Sequence, residues 1–202
     1  MNKYMPFFIV APCVFLVVTF IVTERKGVKL KELMPVVVMS AAAIFGRVIF
    51  SFIPQVQPVT AIVIIMGVCY GCGGGFLTGA LTALVSNLFL GMGPWTLWQM
   101  TAWGIIGLVS GLLGKYDFCK KIYFLIPFSV ISAFFFSIVT DLWTVASFSE
   151  QLTLGTAATI FTAGLVFNIS HAVGNAVFIA LLYKPLSRKI DRVKRKYEIL
   201  CT

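Results

Sequence analysis

The residues best suited to chemistry in this sequence are a few ionisable side chains inside long apolar stretches. They are Arg47, Asp141 and His171. Such groups are costly within a membrane-spanning segment, so each is a candidate functional residue. Arg47 and Asp141 each lie about six residues from the outer end of their stretches, roughly 9 Å deep in a helix. That matched depth permits an ion pair, which could contact a ligand or simply hold two helices together.

A second group of candidates combines indole rings with amides. Trp95, Gln99 and Trp103 recur every four residues, so they share one helix face, with Trp98 beside them and Asn87 shortly before them in the chain. Ring faces stack on planar ligands, and amides hydrogen-bond to the polar edges of such ligands. The group therefore predicts a platform for a ring-bearing or amide-rich solute, with interfacial anchoring by tryptophan as the alternative.

The last apolar stretch carries a polar stripe. Asn168, His171 and Asn175 stand at i, i+3 and i+7, which places them on one helix face. A stripe of this kind is expected to face the protein interior or a cavity, where it would contact a ligand or hydrogen-bond between helices. One histidine together with Asp141 is thin support for a proton relay.

Other chemistries lack the residues that they need. Cys69 and Cys72 form a CxxC pair, but no histidine or carboxylate stands nearby to complete a metal site, so small-residue packing is expected. Gly74 and Gly79 have the outer spacing of a phosphate loop, yet Ala80-Leu81 occupies the Lys and Ser/Thr positions. We therefore expect no enzyme activity and no cofactor bound by this chain, and any uphill transport would draw energy from an ion gradient or a partner.

The elements that position these residues must be membrane helices. Hydrophobic residues make up 59% of the chain and charged residues 11%, with a mean hydropathy of +0.99. No Lys, Arg, Asp or Glu occurs from Val48 to Gly114, a gap that must cross a bilayer about three times at roughly 20 residues per crossing. Spans without alternating polarity are helical. A soluble enzyme, a secreted disulfide scaffold and a nucleic-acid-binding domain are excluded.

The boundaries of the apolar blocks predict seven spans in an all-α integral membrane protein. The third and fourth blocks meet in a glycine-rich stretch, which predicts a tight helical hairpin. The first block is expected to be a retained span, because its basic cluster follows the apolar run instead of preceding it. The predicted spans are residues 7–23, 33–53, 59–71, 75–90, 94–113, 122–148 and 156–183.

The distribution of lysine and arginine predicts the orientation. Basic residues near span ends stay on the cytoplasmic side, and here they concentrate in the loop after the first span, in residues 115–121 and in the tail. The N-terminus is therefore expected outside and the C-terminus inside. A basic tail directly after a span is a topology signal that also suits anionic lipid, so we expect the bilayer and no nucleic acid as its partner.

With these residues identified, the chain resembles the substrate-binding S components of energy-coupling factor (ECF) vitamin transporters. The resemblance covers roughly residues 33–183, and within the family it looks most like the cobalamin-type branch. The segments that carry it are PQVQPVTAIVIIMG (54–67), GFLTGA (75–80), VSNLF (85–89), GPWTLWQM (93–100) and AWG (102–104).

The resemblance implies a six-helix core, residues 33–184, that follows an added N-terminal transmembrane helix with a basic loop, 1–32, and precedes a basic cytoplasmic tail, 185–202. It implies a vitamin site near the outer surface and docking onto a membrane scaffold subunit with two cytoplasmic ATPases, which use the ATP. Docking in the family uses a small-xxx-small surface on the span that here begins at residue 33. This chain offers Ala42 and Gly46 at that spacing, with Ala43 beside them, in place of the usual alanine pair.

We therefore expect a plasma-membrane subunit that captures a vitamin, most simply cobalamin or another corrinoid, for ATP-driven uptake. The alternatives are an S component for another ring-bearing metabolite such as queuosine, and a stand-alone proton-coupled carrier that uses Asp141 and His171. The predicted substrate-binding residues are Arg47, Asn87, Trp95, Trp98, Gln99, Trp103, Asp141, Asn168, His171 and Asn175.

Overall fold

The computed structural model describes residues 5–24, 30–148, 154–197 and 199, and these residues form six α-helices without a strand. Single 3-10 turns follow the second helix (Phe50–Phe52) and precede the fifth (Asp117–Lys120). The predicted all-α fold is confirmed. The helices are α1 (Met5–Glu24), α2 (Leu30–Ile49), α3 (Val59–Leu90), α4 (Trp95–Leu113), α5 (Ile122–Phe148) and α6 (Leu154–Lys196).

The helices have the length and composition of membrane spans. Five are long and apolar enough to cross a bilayer, and α1 adds a shorter apolar stretch, Phe8–Thr23. The outer surface of the bundle is apolar as well: Phe45, Ile131 and Leu181 are each more than 60% exposed. A surface of this kind is stable against lipid and not against water, so the chain is a multi-pass membrane protein.

Helix α3 is folded back on itself. Gly71 has φ 85° and ψ −178°, a conformation that glycine adopts without steric cost, and helical backbone continues on both sides of it. A Cβ atom on Gly75 would lie 2.8 Å from the Gly67 Cα, whereas eight residues of continuous helix would separate the two by about 12 Å. The chain therefore reverses at Gly71, as the glycine-rich stretch predicted. Residues 59–70 form the first leg of this hairpin and residues 72–90 the second.

The hairpin is the centre of the bundle and packs closely on α4. Its first leg is buried almost without interruption from Val59 to Val68. The glycines of the second leg lie directly against α4 backbone, since a Cβ on Gly79 would come within 2.6 Å of the Trp103 carbonyl oxygen. Small residues let membrane helices approach in this way. The glycine run is thus a packing surface.

The basic segments meet at one end of the bundle. Tyr183 Oη donates a hydrogen bond to the Lys120 carbonyl, and Lys194 Nζ donates to the Cys69 carbonyl at 2.9 Å, beside the hairpin turn. Thr23, at the end of α1, lies against Gly73 of the same turn. The hairpin turn, the loop before α5 and the last turns of α6 therefore share one side, as the predicted orientation requires. The basic loop 25–29 lies outside the described residues.

A candidate ligand site at the outer end

The opposite end of the bundle contains a cavity of about 490 Å³, within the roughly 300–1,000 Å³ usual for small-molecule sites. All four tryptophans of the chain line it. The aromatic wall consists of Trp95, Trp98, Trp103, Phe136, Trp143 and Phe167. The remaining lining residues, apart from Pro54, are polar: Arg47, Gln55, Gln57, Gln99, Thr140, Asp141, Thr144 and His171.

Arg47 is the organising residue of the polar side. It stands near the end of α2, is 7% exposed, and reaches across to the loop after α2, to the second leg of the hairpin and to α4. Its guanidinium donates to Gln57 Oε1 (3.1 Å), Asn87 Oδ1 (2.8 Å), Gln99 Oε1 (3.3 Å) and the Ser86 hydroxyl. These acceptors are all uncharged. Four of the five guanidinium N–H groups are thereby used, which holds the planar group rigidly at the cavity wall.

The orientation of the Asn87 and Gln99 side-chain amides follows from the same hydrogen-bond network. Asn87 Nδ2 donates to Thr96 Oγ1 and to Gln99 Oε1, both at 2.9 Å. The Gln99 oxygen thus accepts from two donors, Arg47 and Asn87, so the Gln99 Nε2 atom is directed away from them. Asn87 itself is 2% exposed and supports the wall without lining the cavity. Gln99 is the amide that can present N–H donors to a ligand carbonyl.

A column of stacked groups forms the cavity floor. The Arg47 guanidinium lies 5.0 Å from the centre of the Trp103 ring, Trp103 stacks on Phe136 at 4.5 Å, and Phe136 meets His171 edge to face at 5.3 Å. Trp103 Nε1 donates to Thr60 Oγ1 (3.0 Å), so the Thr60 hydroxyl can donate in turn to His171 Nε2, 3.2 Å away. Five helices, α2 to α6, are thus linked beneath the cavity through buried polar and aromatic contacts.

The ion pair that their matched depth permits between Arg47 and Asp141 does not form, although both residues line the cavity. Among the described residues the one salt bridge joins Lys120 to Asp117. The reason is competition: neutral oxygens occupy the Arg47 guanidinium, while Asn168 hydrogen-bonds to the Asp141 carboxyl. The other carboxyl oxygen of Asp141 is buried without a protein partner among the described residues. The hydrogen bonding of the Asp141 carboxyl is therefore incomplete among the described residues.

Of the ten predicted binding residues, most line the cavity, two support residues that line it, and one does neither. Seven line the cavity: Arg47, Trp95, Trp98, Gln99, Trp103, Asp141 and His171. Asn87 holds Arg47 and Gln99, and Asn168 holds Asp141, by the hydrogen bonds described above. Asn175 is fully buried, and within the described part of the chain neither its amide oxygen nor its nitrogen has a hydrogen-bond partner.

Several lining residues were missed from the sequence. Thr140 and Thr144 flank Asp141 on the inner face of α5, and Phe167 stands one turn before His171, so helical spacing around the known candidates could have indicated them. Gln55 and Gln57 lie in the loop between α2 and α3. Gln55 has φ 64°, an uncommon conformation for a residue other than glycine. Nothing in the local sequence pattern predicts that geometry.

The predicted docking residues are only partly at the surface. Ala43 is fully buried, and a Cβ on Gly46 would collide with the Pro58 ring at the start of α3. Ala43 therefore packs inside the bundle, and the expectation that it faces a partner is corrected, whereas Gly46 is half-buried against Pro58 and its docking role stays a prediction. Ala42, one turn before Gly46 on the same face of α2, is exposed and available to a partner.

Comparison with known proteins gives one family. The model for the ECF-type riboflavin transporter, S component, matches residues 51–188. No curated protein and no solved structure matches the chain. The matched region includes every lining residue except Arg47, and it excludes α1. The expected affinity with the cobalamin-type branch is corrected, because the matching family is of the riboflavin type.

Proposed function

Since the chain belongs to the family of ECF-type riboflavin transporter S components, we propose that its outer cavity binds a flavin-like vitamin, most simply riboflavin. The coarser role follows from the family: a substrate-binding membrane subunit of an ECF transporter, which is not an enzyme. The observation that supports the finer proposal is the cavity itself, with six aromatic side chains on its wall and amides at its polar side.

The chemistry of riboflavin matches such a wall. Its tricyclic ring offers two flat faces for stacking, its pyrimidine edge offers carbonyls and an N–H, and its side chain carries several hydroxyls. Trp95 can stack, Gln99 can donate to a ring carbonyl, and the Asp141 carboxyl, which lines the cavity, can accept from a hydroxyl. A corrinoid is several times larger than an isoalloxazine, and a cavity of about 490 Å³ suits the smaller ring.

Fluorescence titration of the detergent-purified protein tests this proposal. Because every tryptophan lines the cavity, a bound flavin should quench most of the indole emission, and its own emission should fall as the ring stacks. Trp95→Ala should weaken binding about five-fold or more, since ring stacking contributes about 1–3 kcal/mol. Phe89→Ala is the matched control, because Phe89 is 70% exposed and does not line the cavity. Absence of saturable quenching at micromolar riboflavin would overturn the proposal.

Transport is proposed to depend on partner subunits. We expect a membrane scaffold and two ATPases to supply the ATP-driven step, while this chain binds no cofactor of its own. Ala42→Trp, on the exposed side of α2, should then reduce ATP-driven uptake in vesicles that contain all subunits but leave riboflavin binding unchanged. Uptake by this chain alone, abolished by Asp141→Asn, would instead show a proton-coupled carrier.

A further inference from the structure

Helix α1 contacts the candidate site although it lies outside the region that matches the family. It runs along the bundle from the cavity end, where Phe8 lies beside Trp98, to the inner end, where Thr23 meets Gly73. Between these ends the Phe15 ring meets Phe76 of the hairpin at 6.4 Å. One contact joins α1 to the cavity wall directly: Trp98 Nε1 donates to the Phe8 carbonyl at 2.9 Å.

The local sequence of α1 explains why this carbonyl accepts from another helix. In an α-helix the carbonyl of residue 8 accepts from the N–H of residue 12. Residue 12 is Pro12, which has no N–H, and it stands inside α1. Membrane helices tolerate an internal proline when a neighbouring helix supplies the missing hydrogen bond. Here the indole of Trp98 is that donor, and the Phe8 ring packs on the same indole with centroids 5.8 Å apart.

We propose that α1 is a positioning element of the substrate site. Its Phe8 carbonyl receives no N–H from Pro12, so it accepts the Trp98 indole N–H and thereby fixes the Trp98 ring. Trp98 lines the cavity and is half-buried, and the hydrogen bond to Phe8 adds a directional constraint to its packing and rotamer preference. Pro12 and Phe8 touch no ligand under this proposal and act through Trp98. The ligand-affinity part of the proposal rests on the proposed function.

We call the hydrogen bond from the Trp98 indole to the Phe8 carbonyl the tether. Three variants separate its effect from general effects on α1. Pro12→Ala restores the N–H inside α1, so Phe8 gains an intrahelical donor that competes with Trp98, and the helix itself is not weakened. Trp98→Phe removes the indole donor and keeps a ring. Pro6→Ala is the matched control, since Pro6 stands in the first turn of α1, where the absent N–H has no acceptor within the helix.

Riboflavin affinity by fluorescence titration is the first readout. Pro12→Ala and Trp98→Phe should each weaken binding about three- to ten-fold, the effect of one hydrogen bond. The double variant should be no weaker than the worse single variant, because both changes break the same tether. Pro6→Ala should bind like the wild type. Unchanged affinity in Pro12→Ala, or losses that multiply in the double variant, would overturn the proposal.

A second readout needs no ligand. The chain has four tryptophans, so an amide and indole NMR spectrum of nitrogen-labelled protein should contain four indole signals, with that of Trp98 identified by its loss in Trp98→Phe. The Trp98 indole proton should shift and exchange faster in Pro12→Ala but not in Pro6→Ala. An indole signal unaffected by Pro12→Ala would overturn the tether. A shifted signal in a protein that binds no riboflavin would keep the tether and reject the proposed ligand.

Discussion

Replacement of Arg47 by methionine should be one of the most damaging single changes at the cavity. The substitution keeps a long side chain but removes a buried charge that donates to Gln57, Ser86, Asn87 and Gln99 and lies over the Trp103 ring. Each hydrogen bond from a charged donor contributes about 1.5–3 kcal/mol. The contributions overlap, since Asn87 and Gln99 can still bond to each other. We therefore expect a total loss of about 3–5 kcal/mol, because several acceptor oxygens at the cavity wall lose their donor, at about 1–3 kcal/mol for each one left unsatisfied.

Thermal unfolding of the purified protein measures this loss. At roughly 2–4 °C per kcal/mol for a chain of this size, Arg47→Met should lower Tm by about 6–20 °C. Arg47→Lys should fall between the wild type and Arg47→Met, because an ammonium keeps the charge but not the planar fork that reaches several acceptors. Arg188→Met is the matched control, since Arg188 is exposed near the end of α6. A Tm for Arg47→Met within about 2 °C of the wild type would refute the reasoning.

Two further predictions concern the bundle. Gly79→Ala should lower the free energy of unfolding by about 1–3 kcal/mol and weaken riboflavin binding, because the new Cβ would meet the Trp103 carbonyl oxygen at 2.6 Å. Gly164→Ala is the control: its Cβ would meet nothing closer than 3.6 Å, so this variant should melt like the wild type. In a background without native cysteines, an impermeant maleimide added to intact cells should label Phe52→Cys, in the outer turn, and not Tyr116→Cys, in the inner loop. Equal or inverted labelling would contradict the predicted orientation.

The overall architecture could be predicted from the sequence, because the lengths of the apolar segments and the positions of the charged residues determine where the chain crosses a bilayer. A charge-free stretch from Val48 to Gly114 must cross a bilayer repeatedly, and clustered glycines allow both a sharp reversal and close helix packing. The reversal at Gly71 and the contact of Gly79 with α4 agree with those expectations. The sequence placed the turn within a few residues but could not assign it to one glycine, since four glycines stand between positions 71 and 75.

The pairing of side chains was harder to predict from the sequence, because it depends on which donors and acceptors the fold brings close together. Equal depth permitted a pair between Arg47 and Asp141, but the hairpin and α4 bring the Asn87 and Gln99 oxygens to the guanidinium instead. Small size suggested Ala43 for a partner surface, yet small residues are equally suited to internal packing, and Ala43 is buried inside the bundle. The branch of the family was also hard to predict, because several vitamins contain rings that aromatic and amide side chains can bind.

The hydrogen bond from Trp98 to the Phe8 carbonyl, four residues before Pro12, could be predicted in part. The sequence shows a proline inside an apolar helix, which predicts that the carbonyl four residues earlier needs another donor. It does not show which helix supplies that donor, since residues 8 and 98 are far apart in the chain. The fold brings them together and thereby connects the added helix to the cavity.

The central claim, that the outer cavity is a site for a flavin-like vitamin, is tested most directly by calorimetry with riboflavin and with cobalamin on the same purified sample. The account predicts one-to-one binding of riboflavin that Trp95→Ala weakens and Phe89→Ala does not, with no heat from cobalamin. Tight binding of cobalamin that Trp95→Ala weakens, together with no binding of riboflavin, would contradict it.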